Sequence, residues 1–477
     1  MMRTQFGSVV GASTIDNDMS PYLPAPTAVA APHLPTHIHT DPEQGAGFCQ
    51  PSRTVSFSMS LEAQLLTKLN LRLFFDRLLI SGDSGASVAT ATFAQYVDWL
   101  GLSCWSQCRM KFGLETLQVL RPLEMMSKIQ TCYNDETRNN IARCLKGNLS
   151  VAQRNILRQN DRQHVLIPFL TLLGLHVGAD PSQCFYIKGL GQRLHFEVDF
   201  EPTYHIIEGD GNVELGSGLG TAVTSTTALP TAGTVIQEGH LYPEYQFITE
   251  DEEAVHEQNW ALNRRYPFNE AQYVFQHLVP AATALNGADY VAQGLRFDGI
   301  NQPVKTIYVY FRWANDINRD FQGANGSRGR NLWNYGGWEN PGGVPANRSI
   351  ISQVSLKVGN DAYALRPVYI ETLDEYEHLR KFPSTGSGGI LYWTYEHAPC
   401  EENSATGYLD FSVSERPQLV LTMRNIAAVL ATVGDAKAAD IGGATTGDTD
   451  AGLYVDVHCN TMNRLTLDRY TAKHTVN

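Results

Sequence analysis

Short runs of alternating apolar and polar residues recur along most of the chain. In residues 54–60 (TVSFSMS) Val55, Phe57 and Met59 fall on one side and polar residues on the other. Leu69, Leu71, Leu73 and Phe75 alternate with Asn70, Arg72 and Phe74, and Leu194, Phe196, Val198 and Phe200 alternate with His195, Glu197 and Asp199. The second half repeats the theme at Val354, Leu356 and Val358, at Leu409, Phe411 and Val413, at Leu419, Leu421 and Met423, and at Val455, Val457 and Cys459. A period of two held over a few residues predicts half-buried strands. Residues 304–313 (VKTIYVYFRW) and 390–395 (ILYWTY) are β-branched and aromatic throughout, which also suits strands. Nothing in the run 390–423 looks catalytic.

Helical signals are few. Residues 122–160 carry the strongest, around MMSKIQTCYNDETRNNIARCL. Thr249 with Glu252, and Thr372 with Glu375, resemble capping boxes ahead of short helices. Residues 208–235, 315–349 and 425–451 read as long loops rich in Gly, Ser, Thr, Ala or Asn, and loops of that length are usually functional or mobile. Many short strands with turn residues between them predict an all-β chain of two consecutive jelly-roll β-sandwich domains, a double jelly roll, with short helices and long loops. The expected division is a Pro/Ala-rich N-terminal arm over 1–52, a first jelly roll over 53–282 and a second over 283–477. The arm lacks apolar periodicity and cannot bury a core by itself.

The bulk numbers agree with this division. At 477 residues the chain accommodates two β domains, since all-β domains reach about 200–250 residues. Charged residues make up 18%, below the usual 25% or so, as suits a protein that buries much surface against neighbours. A net charge of −13 argues against wrapping nucleic acid. No run of about 18 apolar residues predicts a transmembrane helix, and the N-terminus shows no secretory signal. Eight cysteines, at 49, 104, 108, 132, 144, 184, 400 and 459, fit neither a disulfide framework nor a zinc pair and read as reduced core thiols.

Candidate chemistry is sparse. His33, His37, His39 and Asp41 are suitable metal ligand types, but they sit in the Pro-rich arm without a cysteine. Residues 209–220 (GDGNVELGSGLG) lack the following helix and the Lys-Ser/Thr of a phosphate loop. Glu208, Asp210 and Glu214 lack calcium-loop spacing. Glu250, Asp251, Glu252 and Glu253 read as dipole-complementing charge at a helix start rather than as the paired acids of a glycosidase. Glu396, Glu401 and Glu402 read as a solvated loop. Trp333, Tyr335 and Trp338 could bind a sugar or a partner, or pack within their own loop. Asn148, Asn325 and Asn347 fit the glycosylation sequon. No catalytic, cofactor or metal residues are assigned, and no cofactor is expected.

The second half resembles the double jelly-roll major capsid proteins of nucleocytoplasmic large DNA viruses. GINQPVKTIYVYFRW (299–313), VSLKVGNDAYALRPVYIETLDEYEHLRKFPSTG (354–386), ILYWTYEHAPCEENSATGYLDFSVSERPQLVLTM (390–423) and the closing YVDVHCNTMNRLTL carry the likeness in order and spacing. The first half matches less tightly, through TVSFSMSLEAQLLTKLNLRLFF, VLIPFLTLL with GQRLHFEVDFE, and LYPEYQFITEDEEAVHEQN with YPFNEAQYVFQHLV, the last of these resembling the end of the first barrel. The family's usual N-terminal stretch is replaced by the Pro/Ala arm. The resemblance implies a structural protein of the virion, assembled in the host cytoplasm. It implies a homotrimer with a pseudo-hexagonal outline, tiling an icosahedral shell beside minor capsid and penton proteins, with an inner membrane as a further neighbour. A minor capsid protein of the same fold, and a carbohydrate-active or sugar-binding double sandwich, are the alternatives.

Overall fold

The computed structural model describes residues 34–37, 43, 49–59, 64–79, 94–159, 163–170, 185–202, 205–209, 224–225, 235–251, 253–254, 257–258, 265–280, 290–297, 300, 302–313, 333, 351–358, 362–369, 372–373, 382, 390–397, 399–400, 407–411, 417–423, 452–467 and 472–475. Their strands form two similar sandwiches. In the first, one sheet runs in the order β1 (Leu34–His37), β13 (Ile236–Phe247), β3 (Leu65–Phe75), β8 (Gln163–Pro168), with β9 (Phe185–Tyr186) added to β3. The facing sheet runs β2 (Thr54–Ser58), β10 (Leu194–Phe200), β6 (Trp105–Phe112), β7 (Glu115–Leu120). Two ribbons, β4 (Leu78–Leu79) with β12 (Thr224–Ser225) and β5 (Ala94–Tyr96) with β11 (Ile207–Gly209), lie outside these sheets.

The second sandwich repeats the plan. One sheet is β14 (Arg265–Pro280), β22 (Gly452–Leu467), β16 (Pro303–Trp313), β19 (Ile390–Thr394), with β20 (Leu409–Asp410) on β16 and β23 (Ala472–Thr475) on β22. The other is β15 (Tyr290–Arg296), β21 (Gln418–Met423), β17 (Ile351–Val358), β18 (Ala362–Tyr369). Setting aside the short added strands, both halves pair their eight main strands as first-eighth-third-sixth and second-seventh-fourth-fifth. That interleaving of two Greek keys is the jelly roll.

Two strand pairings reach across the expected divisions at 52/53 and 282/283. Leu34–His37, within the segment read as an arm, form β1, which pairs antiparallel with β13 from Leu34 against Phe247 to His37 against Glu244. Residues expected to end the first barrel form β14, which pairs with β22 from Arg265 against Thr466 to Pro280 against Gly452 and so opens the second. In each sandwich the first strand lies beside the last, a partner far away in sequence that local periodicity cannot identify.

The alternation within strands is otherwise as expected. Val55, Phe57 and Met59, then Leu69, Leu71, Leu73 and Phe75, then Leu194, Phe196, Val198 and Phe200 are all buried in the first core. Three helices, Pro122–Thr131, Asp135–Leu145 and Val151–Gln159, fill the polar region 122–160. The first starts on Pro122 after a capping arrangement in which Glu124 accepts from the Arg121 backbone N–H at 3.0 Å. The second is capped by Asn134, whose side chain accepts from the Thr137 N–H at 2.9 Å.

Candidate functional site

The sheet containing β16, β19 and β22 is buried on both faces. Ile307, Val309, Leu391, Trp393, Val455, Val457 and Cys459 fill the second core. Their neighbours in the strands, Tyr308, Tyr310, Ile390 and Tyr392, point the other way and join the hydrophobic cluster of the first sandwich. The helix Pro122–Thr131 meets this outer face and forms a junction between the barrels.

Polar groups at the junction are individually placed. The Ser127 hydroxyl donates to the Leu123 carbonyl at 2.9 Å, contacts the Tyr310 hydroxyl and lies 3.2 Å from His458 Nε2. Which of Ser127 Oγ and His458 Nε2 donates is set by the imidazole tautomer. The ring stacks between two tyrosines, 4.8 Å from Tyr308 and 5.3 Å from Tyr310 between centroids. His458 Nδ1 has no hydrogen-bond partner among the described residues. Burial, reinforced by the charges of Arg121 and Lys128, lowers the His458 pKa to about 3.

A second buried polar group lies at the end of β19. Lys305 Nζ is 2.6 Å from Glu396 Oε1, and their side chains are 1% and 2% exposed. Around them the Thr394 hydroxyl donates to the Lys305 carbonyl at 3.0 Å, the Thr306 hydroxyl donates to Thr394 at 2.9 Å, and the Glu396 N–H donates to Thr394 at 3.1 Å. Glu396 is therefore not the solvated acid expected from its loop-like sequence. Its partner sits in β16, a mostly apolar and aromatic strand about 90 residues earlier, so sequence spacing could not pair them. Glu401 and Glu402 lie outside the described residues.

The other candidates do not converge. His37 lies in β1, whereas His33, His39 and Asp41 lie outside the described residues. No group of metal-ligating side chains occurs among the described residues. Glu208 and Gly209 are in β11, and the rest of 209–220, with Asp210 and Glu214, lies outside. Glu250 and Asp251 are exposed, and Glu252 lies outside the described residues. Glu253 instead meets Lys188 and accepts from the Gln64 amide at 2.6 Å; although burial opposes ionisation, these partners hold its carboxyl below the usual range. Trp333 packs against the first core and donates from Nε1 to Ser103 Oγ at 2.6 Å, while Tyr335 and Trp338 lie outside. Asn148 is exposed at φ 57° after the helix Asp135–Leu145; Asn325 and Asn347 lie outside. Among the described cysteines, Cys104, Cys108, Cys144 and Cys459 are free thiols, and Cys184 lies outside the described residues.

Two jelly rolls in one chain, joined through a doubly buried sheet, define a double jelly-roll protein. Solved structures of that architecture overlay nearly the whole chain. The VP54 protein of PBCV-1, in a crystal structure fitted into a reconstruction of the virophage Sputnik, has a TM-score of 0.64 at 12% identity, over 94% of this chain and 97% of that one. A quasi-atomic model of the PBCV-1 virus capsid has a TM-score of 0.63 at 10% identity, over 94% and 97%. The Faustovirus major capsid protein has a TM-score of 0.59 at 11% identity, over 92% and 91%. No protein-family model matches the sequence, and no curated protein matches it.

Proposed function

We propose that this chain is a structural capsid protein that trimerises into pseudo-hexameric capsomers tiling an icosahedral shell. One observation carries the reading: the double jelly roll extends over nearly the full length of chains that build viral capsids. Two barrels of the same strand order offer a physical route to the trimer, because three chains present six similar sandwiches and a near-hexagonal outline packs laterally without gaps. The doubly buried sheet favours a rigid two-barrel unit, since fixing the barrels to each other removes freedom that assembly would otherwise have to remove. On this reading the chain divides between Phe247 and Arg265, and its partners are further copies of itself together with minor capsid and penton proteins. Its place is the virion shell.

Light scattering on the purified chain tests the proposal. A species of about 158 kDa, three times the 52.8 kDa chain, is expected, and electron microscopy of particles carrying the protein should show it at the shell facets. A stable monomer that hydrolyses glycans would overturn the capsid reading in favour of a carbohydrate-active double sandwich. Low copy number at the vertices would assign a minor capsid role.

A further inference from the structure

The outer face of the first sandwich holds a cavity of about 430 Å³ lined by Asn70, Arg72, Arg143, Lys146, His164 and Tyr242, with Cys144 and Leu166. Its cations come from separate elements. Arg72 lies on β3, opposite Leu166 of β8 and His240 of β13. His164 lies on β8, opposite Phe74. Arg143 is in the last turn of the helix Asp135–Leu145, and Lys146 is its C-cap in the left-handed conformation. Basic residues at a helix end complement its dipole, which accounts for Arg143 and Lys146 but not for Arg72 and His164 facing them.

Among the described residues, no carboxylate lines the cavity. The two acids of β13 have other partners: Glu238 Oε2 is 3.9 Å from His240 Nε2, and Glu244 is 3.2 Å from Lys68 Nζ. Arg72 Nε is buried without a hydrogen bond, and its guanidinium lies 4.7 Å above the Phe74 ring. Some desolvation, with the charges of Lys146 and Arg72, lowers the His164 pKa, as a site of positive potential requires. In a chain of net charge −13, this cluster has no counter-ion in the cavity lining among the described residues, although cations that lose solvent usually have one.

We propose that this cavity binds a small phosphate-bearing anion, with the Arg72 and Arg143 guanidinium forks and the Lys146 ammonium taking its oxygens and the Leu166 and Tyr242 side chains forming an apolar wall. Guanidinium matches phosphate oxygens two at a time, and ammonium adds a point charge. The inference does not depend on the capsid reading.

Isothermal titration of the full chain with pyrophosphate, in physiological salt, tests it. Saturable binding at one site per chain is expected, weakened at least tenfold by Arg143→Gln combined with Lys146→Asn. Asn tolerates the left-handed backbone at 146, so the fold should survive, and unchanged thermal unfolding without ligand verifies this. Arg138→Gln, on the same helix but paired with Asp135 at 2.7 Å, should bind like the parent. Absence of binding to the parent chain would overturn the proposal, as would equal binding by the double variant. Citrate binding as tightly as pyrophosphate would overturn the choice of phosphate.

Discussion

Glu396 and Lys305 contact each other with almost no access to solvent. Removing one partner of a buried pair strands a charge and costs about 3–5 kcal/mol, whereas replacing both with apolar groups of similar size is often close to neutral. Glu396→Leu should therefore lower the denaturation midpoint sharply, and Lys305→Met with Glu396→Leu should recover most of the loss in the same urea titration. His458 makes a pH-dependent contribution. Its folded pKa is depressed to about 3 against about 6.5 in an unfolded chain. Between these values the unfolded chain takes up a proton that the native junction excludes, so native stability is full above about 6.5 and falls as pH drops toward 3. His458→Phe keeps a ring between Tyr308 and Tyr310 and removes the titration. It should flatten the slope of melting temperature against pH across that window, and an unchanged slope would remove His458 from the account. Neither residue could be assigned from sequence. Glu396 has the composition of a turn around it, and His458 occupies a polar slot in an alternating strand whose outer face was expected to meet water.

At the scale of elements, the strand pattern was legible and the ends of the barrels were not. β3 and β10 bury every second residue as their periodicity requires. β1 is four residues long, LPTH, and contains a proline, so it shows no usable period. Its position depends on the edge of β13 that it covers. Deleting residues 1–42 would expose that edge, and unpaired edges template aggregation; the truncated protein should melt lower and scatter more light than the full chain on heating. A tight approach occurs between β19 and β20, where a Cβ on Gly407 would lie 2.3 Å from the Tyr395 carbonyl oxygen. Backbone cannot yield as a flexible side chain can, so Gly407→Ala should destabilise by about 1–3 kcal/mol, measured by urea unfolding. Smaller losses would mean that the segment relaxes locally.

At the scale of the whole molecule, the junction decides how the barrels behave as one body. A second sandwich expressed alone, residues 265–477, would present Tyr308, Tyr310, Tyr392 and His458 to water. It should bind a hydrophobic dye or precipitate, while the full chain stays dispersed; a soluble, dye-silent fragment would show that the junction adds little. The sequence by itself determined the strand-rich class, the paired jelly rolls and the apolar core positions, because one-sided burial imprints a period of two on each strand. It could not determine which strands open each barrel, since β1 with β13 and β14 with β22 are paired by backbone hydrogen bonds between distant segments that leave little trace in local composition. Nor could it determine that β16, β19 and β22 are buried on both faces. Tyrosine and histidine on an outer face are as compatible with water as with a neighbouring barrel, and the packing of the helix Pro122–Thr131 and of Phe382 on that face helps to exclude the water.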